Sequence, residues 1–439
     1  MGKGALAAKP RLVMRIEGAS YDLTDFDHPG GLRLIELGAD KDMTTAFAAN
    51  HLRPAAALHK LRQYRLPAGA AATDHADDDD AQDGSGSGDA ATSGGAGGSK
   101  LHQELKQRVL KVAGPRPWSL GPSYALWAAT FVAAYCVDAS AGLGWRVLKL
   151  ALLFLRAAIE ARQVWTHMHQ AVHTPNRIRP WQWWAINYVN GGMLAPWTRE
   201  HQYHHRDANN SDAGSDHTDS DVFMFEPFIS FRNGNDGEAE GGASGASGAS
   251  GAKATATARA KANNPLVYAL CLLTILPFMT FHTLRQATCA EVVFAAFALV
   301  SKLLAVKACF APPGWAQAIS FFAINAYVSG CFVVTHIADE GNFARTDDHF
   351  LNTLHATNNY TLEARVFGTN VMDFAAGGIN YHIEHHLFPS INYADLHKVA
   401  PVVQAFCAEH GLPYHTYRYP DLVRTHMRTV LKEPHAKAA

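Results

Sequence analysis

The chain has 439 residues, of which 48% are hydrophobic and 18% are charged, and its formal net charge is −1. This length leaves room for two or three domains, and the near-zero charge gives no argument for nucleic-acid binding. The 24 histidines exceed what packing would need. The six cysteines form no Cys-x-x-Cys pair and lie mostly in apolar stretches, so we expect core side chains and no disulfide framework.

The first folded unit is expected over residues 10–66, and no secretory signal is expected before it. His28 stands in an HPGG turn, where Pro and two Gly let backbone approach a ligand closely, and His51 follows. This pattern resembles a cytochrome b5 domain. The resemblance implies that His28 and His51 hold haem b from opposite sides, which leaves no position for dioxygen and favours electron transfer. The alternative is a small acidic domain with two surface histidines.

Residues 67–104 are dominated by Ala, Gly, Ser and Asp and include an acidic run over 77–80. Such a segment buries little apolar surface, so we expect a disordered linker. A flexible chain of ~30 residues spans roughly 30 Å, enough to let the first unit dock on a neighbouring surface and leave it. A second low-complexity stretch over 233–262 is interpreted as an insertion without a function of its own.

Two apolar segments follow the linker, at 122–137 and 143–161, and basic residues precede the first. The positive-inside rule therefore places the N-terminal side in the cytosol and returns the chain there after two crossings. The Trp-rich stretch Trp181–Trp197 is long enough to suggest a span. Because clustered Trp suits the headgroup region, we interpret it as an interfacial helix or re-entrant hairpin that anchors the protein.

Three histidine clusters, HQAVH, HQYHH and HIEHH, carry the clearest chemical signal. Residues at i, i+3 and i+4 share one face of a helix. A face of imidazoles buries poorly without partners, whereas neutral imidazole is a good ligand for Fe, Zn, Cu or Ni. Eight such ligands exceed the needs of one ion, so two ions are expected. The candidates are His169, His173, His201, His204, His205, His382, His385 and His386.

The order HQAVH, HQYHH, HIEHHLFP resembles the three histidine boxes of membrane-bound fatty acid desaturases, and it is most similar to the front-end type with a fused cytochrome b5 domain. WTREHQYHHRDANN and HTDSD resemble the loop after the second box. Two residues depart from the pattern. Gln170 stands where the first box usually has Asp, and His382 stands where the front-end third box usually begins with Gln. The second departure leaves the regiochemical subclass open.

The resemblance implies a mainly α desaturase domain over 105–432 with a di-iron centre in a cytosolic cap. The second and third histidine boxes can share a metal centre only if they lie on the same face of the membrane. An even number of membrane crossings must therefore separate them. Three apolar segments lie between them, at 265–281, 291–310 and 316–334, so one of the three must lie in the interface. We therefore expect an integral membrane bundle of about four transmembrane helices, together with the small α+β cytochrome b5-like domain.

The resemblance also implies the chemistry and the partners. Two non-haem iron ions would receive electrons from NADH through cytochrome b5 reductase and the haem unit. The implied reaction removes two hydrogens from adjacent carbons of an acyl lipid or acyl-CoA and reduces O2 to water. In a front-end enzyme the new cis double bond falls between an existing one and the carboxyl end. No catalytic side chain beyond the metal ligands is expected.

Two assignments stay open at this point. His336, where the chain leaves the last apolar segment, is a candidate ninth ligand, and an interfacial histidine without a metal is the alternative. The expected location is the endoplasmic reticulum membrane with both domains facing the cytosol; a plastid membrane is the alternative.

Three other functions remain under consideration. A sphingolipid long-chain-base desaturase or a fatty acyl hydroxylase would use the same centre. A non-catalytic membrane protein that binds haem and metal belongs to another class. Iron beyond haem and NADH-coupled O2 uptake would separate this last class from the enzymes.

Overall fold

The structure is a computed structural model, and the backbone that it describes is mainly helical. It describes residues 11–28, 35, 39, 43–44, 47, 51, 53–67, 94–114, 121–174, 178–189, 194–206, 208–209, 219, 287–309, 325–338, 346, 348–366 and 369–431. The expected insertion over 233–262 and the apolar segment 265–281 lie outside the described residues. Most of the expected linker, over 68–93, does too.

The N-terminal unit is built on a hairpin of β1 (Val13–Ile16) and β2 (Ala19–Asp22), which pair antiparallel. Its two turn residues, Glu17 and Gly18, have φ values of 51° and 73°, the positive values that tight hairpins of right-handed twist require. Helix α1 (Pro54–Leu61) completes the unit. The core consists of Leu12, Met14, Ile16, Tyr21, Leu23, Ile35, Phe47 and Leu61.

Helix α2 (Gly94–Val109) begins inside the expected linker, so the disorder predicted over 67–104 does not extend to its last residues. The reason is an apolar stripe at helical spacing. Leu105 and Val109 are fully buried in the main core, and Leu101 packs against it. Burial of this stripe against the rest of the chain stabilises a segment whose composition alone indicated a coil.

Helices α3 (Gly121–Cys136) and α4 (Leu143–His173) pack on each other across a short turn. In this turn Asp138 accepts a hydrogen bond from the Ser140 backbone N–H at 2.8 Å. Helix α4 runs unbroken through the first histidine cluster, so its last turn presents that cluster, as expected.

Further helices that the structure describes before the C-terminal region are α5 (Pro180–Val189), α6 (Leu194–Arg206), α7 (Cys289–Cys309) and α8 (Val334–His336). A π-helical turn over Ser329–Val333 precedes α8. Within the part of the chain that the structure describes, none of the helices combines the length and the apolar character needed to cross a bilayer.

The C-terminal cap surrounds the third histidine cluster. Its elements are α9 (His349–Ala356), β3 (Asn359–Thr361), β4 (Arg365–Val366), β5 (Thr369–Asn370), α10 (Val371–Ala376), α11 (His382–Leu387), α12 (Tyr393–His410), β6 (Thr416–Arg418) and α13 (Tyr419–Leu431). Strand β3 pairs parallel with β6, and β4 pairs antiparallel with β5. Ile383 and Leu387 of α11 lie in the same core as Phe350 and Phe406, so the cap's apolar core holds the short helix in place.

Two glycines before α11 permit its close approach to neighbouring elements. Gly377 and Gly378 have φ values of 64° and 93°. A Cβ on Gly377 would lie 2.6 Å from Thr166 Oγ1 of α4, and a Cβ on Gly378 would lie 2.6 Å from the Tyr393 carbonyl oxygen. The second contact is with backbone, which cannot move aside cheaply.

We predict that Gly378→Ala lowers the thermal unfolding midpoint clearly more than Gly411→Ala does. Both positions have positive φ, which destabilises a non-glycine residue by roughly 1–2 kcal/mol. Only at Gly378 does the added Cβ also meet backbone, since nothing lies within 4 Å at Gly411. Gly114→Ala, likewise in open space, is the neutral control. The unfolding midpoints are measured by fluorescence on purified protein. Equal midpoints for Gly378→Ala and Gly411→Ala would contradict the close packing at Gly378.

Candidate metal centre and haem site

Nine histidines from four helices converge into two adjacent clusters. The five-histidine cluster contains His169, His173, His201, His205 and His385. The four-histidine cluster contains His204, His336, His382 and His386. Within each cluster the candidate ligand atoms all lie within 4.8 Å of one another. The structure thus brings together all eight histidines of the boxes and adds His336.

Helical spacing divides the histidines between the clusters. On α6, His201 and His205 face the first cluster, while His204 faces the second. On α11, His385 faces the first cluster, while His382 faces the second together with His386. The two clusters therefore share two helices, and the His205 and His386 rings stack 4.0 Å apart where the clusters meet. His336 follows a π-helical turn, a local irregularity that is frequent at functional sites.

The imidazole nitrogens point at one another as the ligands of a metal ion do. The Nε2 atoms of His204 and His336 are 3.0 Å apart, and those of His385 and His169 are 3.1 Å apart. Nitrogens bound to one ion at about 2.0–2.1 Å lie roughly 3 Å from each other. The donor set therefore fits one ion per cluster.

Burial favours the form of imidazole that binds metals. It lowers the pKa of His382, His385 and His386 well below the usual range, and neighbouring histidines lower it further. These side chains are therefore neutral at physiological pH, and metal ligation requires neutral imidazole.

Hydrogen bonds fix which nitrogen of two histidines faces the four-histidine cluster. His204 Nδ1–H donates to Asp219, 3.0 Å from either carboxylate oxygen, and His336 Nδ1–H donates to the Ala356 carbonyl at 3.0 Å. The Asn209 backbone N–H also donates to Asp219 at 2.8 Å. Each bond leaves Nε2 available to a metal, the arrangement in which a carboxylate or carbonyl orients a metal-bound imidazole.

Asp219 stays ionised although it is buried. Burial acts to raise the pKa of its carboxyl, but the electrostatic attraction and the hydrogen bond of the His204 ring outweigh burial, so the pKa lies below the ordinary value. Asp219 lies in HTDSD, a stretch that resembles the loop after the second box, but the resemblance gave it no role. A carboxylate shortly after a histidine box is the signal that could have identified it.

Glu384 lies inside the third box but faces away from the clusters. It accepts hydrogen bonds from Tyr414 Oη and Asn359 Nδ2, each at 2.8 Å. Asn359 Oδ1 in turn accepts from the Ile383 backbone N–H at 2.9 Å. Burial raises the Glu384 pKa to about 7, against the effect of these bonds. This network ties the outer face of α11 to the cap.

Gln170 has a structural role that an aspartate could not fill. Its Oε1 accepts from the Tyr393 backbone N–H at 3.1 Å, and its Nε2 donates to the Pro389 carbonyl at 3.3 Å. An ionised carboxylate accepts hydrogen bonds but donates none. The amide therefore joins α4 to the chain that follows the third box.

The Trp-rich stretch does not act as one anchor. Trp181 and Trp184 on α5 are 59% and 58% exposed, as the interfacial interpretation requires. Trp197 on α6 is buried, with its ring 4.4 Å from that of His201 and 5.6 Å from that of His169. The anchor interpretation is therefore wrong for Trp197, which packs against the five-histidine cluster.

In the N-terminal unit, His28 and His51 face each other. Their ring centroids are 6.0 Å apart, and two imidazoles on opposite sides of one haem iron place their centroids roughly 6 Å apart. His51 Nδ1–H donates to the Phe47 carbonyl at 2.8 Å, which leaves Nε2 for the iron. The pair therefore fits a haem between them.

Comparison with known proteins gives the family. Residues 143–418 match the family model of fatty acid desaturases, and residues 5–68 match that of the cytochrome b5-like haem/steroid binding domain. The first match covers more than half of the chain, so the chain belongs to the fatty acid desaturase family. It is an oxidoreductase, a fatty acid desaturase with a fused cytochrome b5 domain.

The chain is similar to desaturases from distant organisms. Fatty acid desaturase 3 of Bos taurus is 28% identical over 417 residues, which cover 91% of this chain and 85% of that protein. The chloroplastic acyl-lipid (7-3)-desaturase of Chlamydomonas reinhardtii is 24% identical over 441 residues, 91% and 76% of the two chains. Delta(5) fatty acid desaturase fat-4 of Caenorhabditis elegans is 33% identical over 107 residues, 23% of each chain. No solved structure matches significantly.

We predict that Asp219→Asn weakens iron binding at the four-histidine cluster by roughly 10–100-fold, the usual effect of losing a partner that orients a ligand. The measurement is an anaerobic Fe(II) titration of the metal-depleted protein.

Asp395→Asn is the matched control for that variant. Asp395 is also buried, but it lies on α12 and pairs with Lys398 at 2.7 Å. Iron affinity equal to wild type in Asp219→Asn, or reduced equally in both variants, would contradict the role of Asp219.

Proposed function

We propose that the nine clustered histidines hold two iron ions and that the chain is an O2-dependent front-end acyl-chain desaturase supplied by its own haem domain. The observation that carries this proposal is the pair of adjacent all-histidine clusters sharing α6 and α11. The five-histidine cluster would hold one ion and the four-histidine cluster the other. His336, brought into the second cluster by the π-helical turn, is the ninth ligand.

Bound iron would supply the oxidising power, with O2, that removes two hydrogens from an acyl chain. The protein's own residues supply placement. His204 is held by Asp219 and His336 by the Ala356 carbonyl, so these ligands need no rearrangement to bind. Zinc hydrolysis would need about three protein ligands and a water, far fewer than are assembled here.

His28 and His51 would hold haem b, and electrons would reach it from NADH through cytochrome b5 reductase. The Nδ1–H of His51 bonded to Phe47 orients its ring for this ligation. Because both axial positions would be filled by imidazole, the haem would carry electrons and leave O2 to the non-haem centre.

The apolar side chains exposed on the helices support a location of the protein in a membrane. Large apolar side chains are exposed on α3, α4, α5 and α7. They include Leu126, Val132, Leu143, Trp145, Phe154, Trp181, Trp184, Val293, Phe297 and Leu299. An apolar surface of this kind is typical of contact with lipid. We propose about four membrane crossings, in the endoplasmic reticulum with both domains facing the cytosol.

The substrate would be an unsaturated acyl lipid or acyl-CoA, and the product would carry a new cis double bond on the carboxyl side. Similarity to a protein named delta(5) fatty acid desaturase supports the front-end position. His382 in place of the usual Gln is compatible with this activity, because imidazole also serves as a metal ligand.

We predict that yeast expressing this chain and fed a panel of unsaturated acids forms a fatty acid with a new double bond nearer the carboxyl end. Gas chromatography with mass spectrometry of the total fatty acids gives its position. His385→Ala should abolish the product and keep the haem spectrum, since His385 belongs only to the five-histidine cluster. His28→Ala should lose the haem spectrum and keep non-haem iron.

Full activity in His385→Ala would contradict the metal assignment. A hydroxylated acid, or a changed long-chain base in the sphingolipids, would instead favour the other reactions open to the same centre.

A further inference from the structure

Helix α2 (Gly94–Val109) connects the catalytic core with the N-terminal haem unit. Leu105 and Val109 are fully buried in the core of the cap. The Arg108 guanidinium pairs with the Glu409 carboxylate of α12 on the surface beside them. These contacts fix α2 to the cap, so any residue on its other faces has a defined position relative to the metal centre.

Lys106 of this helix reaches the haem unit. Its side chain is 1% exposed, and its ammonium donates a hydrogen bond to the backbone carbonyl of His51 at 3.0 Å. His51 is the candidate haem ligand. Burying an ammonium group is less favourable than burying an apolar side chain of the same shape. A lysine at this place therefore indicates a defined arrangement of the two units more than added stability.

His102 lies one turn before Lys106 on the same face of α2. Its imidazole is buried, stacks on the Phe350 ring at a centroid distance of 4.9 Å, and hydrogen-bonds the backbone of Leu387. Leu387 directly follows His386 of the four-histidine cluster. One face of α2 thus contacts the backbone beside a candidate haem ligand and the backbone beside a candidate iron ligand.

We propose that Lys106 and His102 are positioning residues that dock the haem unit on the metal centre within one chain. The inference rests on the proposed function. The step it would serve is transfer of one electron, in which a haem held by His28 and His51 would be oxidised from ferrous to ferric and a ferric ion held by the clustered histidines would be reduced to ferrous. NADH, through the reductase, would restore the ferrous haem.

Docking fixes the orientation of the haem unit, which a flexible tether does not. A flexible linker raises the local concentration of the haem unit to the millimolar range, but it leaves every orientation accessible. The Lys106 bond to the His51 carbonyl and the stacking of His102 on Phe350 select one orientation of the haem unit relative to the cap. Electron transfer then requires no search.

The test uses the full-length protein loaded with haem and iron, and compares wild type with Lys106→Met. Without O2, a flavin excited by a light flash, with EDTA as the electron donor, reduces the haem, and haem reoxidation is followed in the Soret band. In wild type we expect a first-order decay that is independent of protein concentration. In Lys106→Met the decay should slow by roughly tenfold, because the His51 carbonyl then lies in the docked arrangement without its hydrogen-bond donor and that arrangement becomes less populated.

Lys100→Met is the matched control, because Lys100 is an exposed residue of the same helix and its loss removes the same charge. It should decay as wild type does. His102→Phe keeps a ring against Phe350 but loses the bond to Leu387, and its decay should slow as well. Haem content and the Soret maximum should be unchanged in all three variants.

Haem reoxidation in Lys106→Met at the wild-type rate would overturn the proposal. Equal slowing in Lys100→Met would overturn it too, because the slowing would then come from losing any positive charge on α2. Loss of haem from Lys106→Met would also overturn it, since the lysine would then act within the haem unit. A wild-type protein with haem and non-haem iron but no reoxidation after the flash would contradict the proposed function itself.

Discussion

The arrangement of this protein depends on burying nine imidazoles against one another. Imidazole nitrogens brought within about 3 Å without a cation repel through their lone pairs or must share protons, so the clusters are stable only with neighbours that fix each ring. Asp219, the Ala356 carbonyl and the apolar core around α11 supply that support. The cost of assembling the site is thus met by the rest of the fold before any ion binds.

The surrounding fold can be understood as the means of bringing α4, α6, α8 and α11 to one place. Gly377 and Gly378 allow α11 to approach α4 and α12 closely. Gln170 joins α4 to the chain after α11 through both ends of its amide. Because α6 and α11 each contribute to both clusters, a shift of either helix would disturb both clusters together. The geometry of the two clusters is therefore kept or lost together.

The sequence was enough to predict the family of the chain and the eight box histidines that the structure brings together. The spacing of His201, His204 and His205 shows that they share a helix face, but spacing alone does not say which of them belongs to which cluster. That division depends on how helices cross, which is a tertiary property. His336 stayed open for the same reason, since its position depends on the π-helical turn before it.

Other features escaped prediction because they depend on partners distant in sequence. The composition of residues 67–104 indicated a coil, whereas burial of Leu105 and Val109 in the cap extends a helix back into this segment. Trp197 was grouped with surface tryptophans, yet it packs on His201. The role of Gln170 is visible only once Pro389 and Tyr393 are known to lie beside it.

The most direct measurement is the metal content and coordination of the purified full-length protein, by elemental analysis, haem absorbance and X-ray absorption at the iron edge. We predict two non-haem irons for each haem, with nitrogen neighbours from imidazole dominating their first shell. A single non-haem iron per chain, zinc in its place, or a first shell dominated by sulfur would contradict the assignment of the nine histidines to two iron ions.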